Sequence, residues 1–308
     1  MATIRYIVKR MLQTLIVLFF VSVFAFALIR LAGGNPARMM LPDGVSEEIV
    51  RQKEIELGLD KPLVTQYLIY IGNIFKGDLG TSTIYNQPVA KIIAQRLPVT
   101  ATLAFWTIVV TLLISIPLGI VAGSHQGSLT DYIAMSTALF GQSMSPVWLG
   151  VLMIYIFASK LQWLPAVGTG GFEYVILPAV TLGYPVAAEI TRIGRSGMID
   201  VLKEDYITAT YAKGVSRAKV QWKYAFKNAM VPIVTLVGVQ IGVFLAGTVV
   251  VETIFSWSGI GQLLKQAVDT RDYSMVQSLL LIIASMFAVI NLAVDVINSL
   301  IDPRITLQ

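Results

Sequence analysis

The sequence predicts an all-α membrane protein with six transmembrane helices and an external helical insertion after the first of them. Three observations carry that expectation. Of 308 residues, 56% are hydrophobic and only 13% charged, roughly half the charged share of a soluble domain. Apolar runs long enough to cross a hydrocarbon core of about 30 Å recur along the chain. Lysine and arginine are distributed unequally between the loops. The same composition excludes several chemistries. With no cysteine there is no disulfide framework, thiolate metal site or cysteine nucleophile. A single histidine, His125, cannot build a multi-histidine metal site and leaves a catalytic triad one position only. No G-x-x-x-x-G-K-[ST] loop is present to cradle nucleotide phosphates. No catalytic or metal-ligating residue is assigned, and the net charge of +5 is a matter of topology rather than of nucleic acid.

Residues 1–30 form the cytoplasmic start and first span. Arg5, Lys9 and Arg10 precede an apolar run from Met11 to Ile29. Ala25-Phe26-Ala27 resembles a signal-peptide cleavage site, but the run is long for that role and continues beyond the alanines, so a retained helix is expected. Residues 31–98 are polar enough to leave the membrane. Ser46-Glu47-Glu48 starts a helix ending near Gly58, and Pro62 opens another with the apolar stripe Leu63, Tyr67, Leu68, Ile71, Ile74 and Phe75. That second helix is too short to span and is expected on the outer surface or within a small external subdomain. Gly77-Asp78-Leu79-Gly80 is a turn, and Val89, Ile92, Ile93 and Leu97 make a third amphipathic helix. This segment either plugs the helix ends or presents a docking face to an external protein.

Residues 99–308 form the five-helix core. The second span, Val99–Gly123, is interrupted by Pro117, and the third, Tyr132–Ser159, carries Gly141-Gln142-Ser143-Met144-Ser145-Pro146 at its middle. Small polar residues beside a proline at membrane depth either kink a packed helix or face a water-lined path, which makes Gln142, Ser143, Ser145 and Pro146 the translocation-path candidates. The fourth span, Tyr174–Ile193, holds Glu189 three residues before Arg192, a spacing that suits a local ion pair. The fifth, Met230–Val251, contains Gly238 and Gly242 in a close-approach spacing. In the last, Met275–Ile301, Asn291, Asp295 and Asn298 share a face, expected to bond to neighbouring helices.

Between spans four and five lies the basic loop 192–232. Ser196–Lys213 has helical composition with Gly214 as its stop, and Ser216 is placed to cap a second short helix carrying Lys219, Val220, Trp222 and Lys223. Such a loop either serves topology alone or is gripped by another protein. The inner segments, including this loop, hold twelve lysines and arginines against three in the short outer loops. Both termini and the basic loop are therefore expected in the cytoplasm.

The motifs then accumulate along the whole chain. Leu57-Gly-Leu-Asp-Lys-Pro-Leu63, Gln66-Tyr67, Gly77-Asp-Leu-Gly80 and Pro88-Val89 are followed by Phe140-Gly-Gln-Ser143 with Pro146, and by Trp163-Leu-Pro165 with Gly168. Glu204-Asp-Tyr206 with Ala212-Lys-Gly214, Asn228-Ala229 with Pro232, Phe255-Ser-Trp257, Gly259-Ile-Gly261, Arg271-Asp-Tyr273 and Asp302-Pro-Arg304 complete the series. In this order they resemble the binding-protein-dependent ABC transporter permeases of the dipeptide, oligopeptide and nickel family, and in particular the first permease subunit of peptide and glutathione importers. The chain departs from that pattern at Gly33-Gly-Asn-Pro36, Ser258, Ser274 and Thr208-Ala-Thr-Tyr211.

The resemblance implies the type I ABC importer permease fold and a non-enzymatic translocation subunit in a bacterial cytoplasmic (inner) membrane. It implies a coupling helix within the basic loop, with Glu204, Asp205, Tyr206, Ala209, Ala212, Lys213 and Gly214 contacting an ATPase subunit. Implied partners are a paralogous second permease, two ABC ATPases that hold ATP and Mg, and an external solute-binding protein, besides membrane lipid. No cofactor is implied for this chain itself. Asp78, Glu252, Trp257, Arg271 and Asp272 are the docking candidates for the binding protein. The cargo implied is a peptide-type solute, with nickel or another metal chelate as the alternative. A self-sufficient secondary transporter would need paired intramembrane charges or inverted repeats; Glu189 and Asp295 are its candidates, and no internal repeat is visible.

Overall fold

The computed structural model describes residues 2–31, 36–39, 41, 44–56, 58–246 and 248–301, with backbone only at 2–6, 29–31, 36, 39, 231 and 298–301. Gly33–Asn35, Leu57, the Asp302-Pro-Arg304 motif and the side chain of Asn298 lie outside this description. Among the described residues the architecture is helical, with one isolated bridge between Thr81 and Pro88. Four helices are long and apolar enough to span a membrane: Ile7–Leu28, Val89–Ser124, Phe172–Leu202 and Tyr273–Ile297. Two bent pairs, Leu129–Ser143 with Pro146–Lys160 and Arg217–Ala229 with Pro232–Leu245, bring the spans to six when each pair counts as one.

The chain divides into two compact units, Met1–Val99 with Gly259–Gln308, and Thr100–Ser258. In the first, α1 (Ala2–Leu31) runs along α15 (Tyr273–Ile301), and Arg10 reaches Asp295 at 3.2 Å. The expected polar bond from the last span to a neighbour is thus an ion pair to α1. Two short helices, α2 (Pro36–Met39) and α3 (Glu47–Glu56), follow α1, and Arg38 is bonded to Glu47 at 2.6 Å. Next comes α4 (Leu63–Phe75), opened by Pro62.

The start of α5 (Val89–Ser124) is held in this unit by an apolar core. Val89, Ile92 and Ile93 pack with Ile260, Leu263 and Ala267 of α14 (Ile260–Asp269) and with Met275, Val276 and Leu279 of α15. Asp272 caps α15, accepting from the Met275 N–H at 3.2 Å and from the Ser82 hydroxyl. Ser82 in turn accepts from the Tyr85 N–H at 3.0 Å, so one buried carboxylate ties the turn before α5 to the start of α15.

In the second unit α5 meets α8 (Phe172–Leu202) through residues too small to hold the helices apart. A Cβ added to Gly119 would lie 3.3 Å from the Thr191 carbonyl oxygen, and one on Gly183 would lie 2.9 Å from Thr111 Oγ1. Buried threonines on both helices bond to carbonyls four residues back, as Thr107 does to Leu103 at 2.8 Å and Thr191 to Ala187 at 2.7 Å. Their hydroxyls are thereby satisfied without water.

Four expectations are corrected here. The amphipathic helix ending at Leu97 and the span beginning at Val99 are one helix, α5, continuous through Pro98 and Pro117. Burial of its first turns offsets the bond that Pro98 forfeits. The third span is broken: α6 (Leu129–Ser143) and α7 (Pro146–Met153), extended by a π-helical stretch to Lys160, meet at 105°. Pro146 forces Ser145 out of the helical region, to ψ 134°. The fourth span runs on through Pro178 and Pro185 to Leu202, so the helix expected over Ser196–Lys213 is split at Lys203–Glu204. The fifth span ends at Leu245, and α13 (Val249–Ile254) is a separate short helix.

A Cβ on Gly123 would stand 2.5 Å from Met198 Cβ and 2.8 Å from the Arg195 carbonyl oxygen, whereas nothing lies within 4 Å of one on Gly72. Gly123→Ala should therefore destabilise the purified protein by about 1–3 kcal/mol, while Gly72→Ala should be neutral or gain up to about 1 kcal/mol. Thermal unfolding of the two variants in detergent checks the contrast.

Candidate functional site

The basic loop folds into a short helix, α9 (Asp205–Ala212), entered through Glu204 in extended conformation and left through Gly214 at φ +78°. The positive φ is one glycine adopts at little cost, and Asp205 in the first turn complements the helix N-terminus. Glu204, Asp205, Tyr206, Ala209, Ala212, Lys213 and Gly214 are all exposed. Ile207 alone points inward, 0% exposed, into a cluster with Ile120 of α5, Met198 of α8, and Val220, Ala225 and Ala229. Those last three belong to the segment after Gly214: α10 (Arg217–Lys219), a π-helical turn Val220–Ala225, and α11 (Phe226–Ala229), which leads into α12 (Val231–Leu245). Ser216 stands at the expected cap position, although its side chain makes no capping bond. Asn228 also donates to the Tyr206 hydroxyl at 2.6 Å. A short helix with an outward polar and aromatic surface is thus fixed by one apolar side chain to the ends of two long helices.

Sequence reasoning missed Ile207, although an isoleucine amid polar residues on a short helix is itself a sign of an inward face. It also missed the ion pair one helical turn from Met198 on α8. Arg195 of α8 donates through Nε and Nη2 to the two carboxylate oxygens of Asp131, at 2.6 and 2.8 Å. Asp131 is buried at the start of α6, and its Oδ2 also accepts from the Gly127 N–H at 2.9 Å. The expected partnership of Glu189 with Arg192 is not formed; the loop's pairing arginine is one helical turn further on.

Gln142, Ser143, Ser145 and Pro146 all lie exposed at the bend between α6 and α7. Ser143 donates to the Leu139 carbonyl at 2.9 Å, and Ser145 caps α7 by accepting from the Val147 N–H at 3.3 Å. Gln142 therefore carries the outward amide of the group. The bend is seated on α8, where the Tyr184 hydroxyl donates to the Thr137 carbonyl at 2.9 Å and its ring fills the space a Cβ on Gly141 would need.

The five docking candidates divide by burial. Asp78 and Arg271 are exposed, Arg271 at φ +57°. Glu252, Trp257 and Asp272 are buried; Glu252 accepts from the Thr100 hydroxyl at 3.0 Å, and Asp272 is the cap of α15. Among the described residues no cluster of three or more His, Asp or Glu side chains is placed to hold a metal ion.

Apolar spans, one of them broken at a polar bend, with a small exposed helix at their ends, define a membrane translocation subunit. Residues 115–307 match the family of binding-protein-dependent transport system inner membrane components, and residues 3–104 match the N-terminal segment of such membrane components. The glutathione transport system permease protein GsiC of Escherichia coli O6:H1 is 39% identical over 302 residues, 98% of this chain and 99% of that one. Proteins of the same name from Escherichia coli K12 and Shigella flexneri serotype 5b are 38% identical with the same coverage. In fold the chain also resembles the MetNI methionine ABC transporter in an inward-facing conformation, with a TM-score of 0.55 at 15% identity over 68% of this chain and 96% of that one. The chain belongs to the binding-protein-dependent transport system inner membrane component family. It is a multi-pass inner-membrane permease subunit of an ABC importer, with the type I permease fold.

Removing one member of the Arg195–Asp131 pair would leave a buried charge uncompensated. Arg195→Leu should cost about 3–5 kcal/mol, and Asp131→Asn introduced alongside it should recover much of that loss. Thermal unfolding of the single and double variants measures the coupling.

Proposed function

We propose that this chain passes a peptide-type solute, of which glutathione is the leading candidate, from an external solute-binding protein to the cytoplasm. A paralogous permease completes the pathway, and two ABC ATPases, holding ATP and Mg, supply the work. The observation that carries this reading is α9, a rigid exposed helix pinned by Ile207 to α5 and α8. A permease lacking a phosphate loop must receive motion through such an element. The termini and α9 face the cytoplasm, in keeping with the lysine and arginine distribution.

Movement of an ATPase groove around α9 pulls on Ile207 and so on α8. Arg195 and Tyr184 carry that displacement to α6, whose far end is the bend bearing Gln142. The Gln142 amide offers both a donor and an acceptor, as a peptide group requires. Asp78 and Arg271 provide the outward charges for a binding protein, while the buried Asp272 beside Arg271 holds the start of α15. Glutathione as cargo rests on the relatives at 38–39% identity, whose names give glutathione transport. The alternative of an ion-coupled transporter loses one of its two charges to a local partner, since Asp295 is paired with Arg10.

Proline at position 214 would fix φ near −65° and remove the N–H that bonds the Tyr211 carbonyl at 2.9 Å. In liposomes holding the full complex and its binding protein, ATP-driven glutathione uptake should occur with the native chain and fall to background in Gly214→Pro, with the complex still assembled. Gln142→Leu should lower uptake several-fold without altering ATP hydrolysis. Uptake that needs no ATP, or that survives Gly214→Pro unchanged, would overturn the coupling role. ATP-driven uptake of other peptides but not of glutathione would overturn the cargo assignment alone.

A further inference from the structure

The helix α4 presents two adjacent faces of different character. One carries Tyr67 and Tyr70 and packs on α1. The Ser22 hydroxyl donates to the Phe19 carbonyl at 2.7 Å, so the contact of 2.8 Å between Ser22 and Tyr67 has the tyrosine as donor. Phe26 packs against the rings of Tyr67 and Tyr70, with centroids 5.4 and 5.8 Å apart. About 100° around the helix runs a second stripe, Val64, Leu68, Ile71 and Phe75, at the i, i+4, i+7, i+11 spacing of one helical face. Val64 is 71%, Leu68 63% and Phe75 87% exposed. No charged residue lies between Leu63 and Phe75, yet exposed lysines, Lys61 and Lys76, stand just beyond each end.

The contacts with α1 fix the depth of this helix. Ser22 is seven residues, and Phe26 three, short of Ile29, where the apolar run of α1 meets Arg30. At 1.5 Å per residue, that places the bonded face of α4 about 4–11 Å inside the hydrocarbon boundary. Interfacial amphipathic helices bury their apolar faces to about 5–10 Å. Exposed Phe19 of α1 touches both Tyr67 and exposed Phe20, so the bonded face of α4 adjoins an exposed apolar surface of α1.

We propose that α4 lies in the membrane interface at the C-terminal end of α1, with Val64, Leu68 and Phe75 among lipid acyl chains and Lys61 and Lys76 against headgroup phosphates. Lysines flanking an uncharged amphipathic helix suit that position, because their ammonium groups reach the headgroups while their stems lie over apolar surface. With both termini in the cytoplasm, the leaflet is the outer one. The segment after α1 is then braced by lipid as well as by protein.

The chain has no cysteine, so a single introduced cysteine is unique within it and takes a spin label before the complex is reassembled with cysteine-free partners. Val64→Cys, Leu68→Cys, Phe75→Cys and Asn73→Cys, labelled in this way and placed in the full complex in liposomes, are compared for collisions with oxygen, which partitions into lipid, and with a water-soluble nickel chelate. Positions 64, 68 and 75 should favour oxygen severalfold more than position 73 does. Nickel accessibility at all four would make α4 an aqueous subdomain and overturn the proposal; low accessibility to both probes along the stripe would show a protein partner covering it and overturn it equally. The proposal rests on α1 crossing the bilayer, so Phe20→Cys is the reference. Oxygen preference at position 20 without it at 64, 68 and 75 refutes the placement of α4 alone, whereas its loss at position 20 refutes the span.

Discussion

The close approach of α5 and α8 is the constraint on which the second unit depends. Inside a bilayer, apolar side chains gain nothing from leaving lipid for one another, so helices associate through backbone proximity, dispersion and hydrogen bonds. Gly119, Gly123 and Gly183 allow that proximity, and the buried threonines satisfy their own hydroxyls on the helix backbone. A seam of this kind tolerates almost no added volume, so displacement at one end is passed on rather than absorbed. The end of the seam, at Ile120 and Met198, is where α9 is fastened.

From that seam the functional parts follow by short steps. Ile207 joins α9 to it, the Arg195–Asp131 pair joins α8 to the start of α6, and Tyr184 joins α8 to α6 again near the bend. The bend at Ser145–Pro146 needs no strain to explain it, because a proline at the first helical position and an extended residue before it are what the two residue types prefer. Gln142 is left outward at that bend. The exposed helix α9 and the exposed amide of Gln142 thus belong to one compact unit of the chain.

Much of this was legible in the sequence, for identifiable reasons. Hydrophobic length revealed the spans, charge asymmetry between loops suggested their orientation, and Gly214 marked the end of the short helix because few other residues favour its backbone angle. What stayed hidden was set by tertiary contact. Pro98 looks like a helix boundary until Val89, Ile92 and Ile93 are seen buried in phase with the span that follows. Arg195 and Asp131 are 64 residues apart, a separation at which no helical spacing rule applies; the nearer Glu189–Arg192 spacing drew attention to a pair that does not form. Glu252, Trp257 and Asp272 read as surface features because charged and aromatic residues in an external loop usually are. The folded chain uses the first and last as buried hydrogen-bond acceptors.

The central claim is that α9 is where an ATPase engages this chain. A photo-crosslinking residue at Tyr211, an exposed position on α9, tests it directly in native membranes that support ATP-driven uptake. The account predicts adducts between this chain and an ABC ATPase, identified by mass spectrometry. A transport-competent complex in which position 211 yields adducts only with lipid, or with this chain itself, would contradict it.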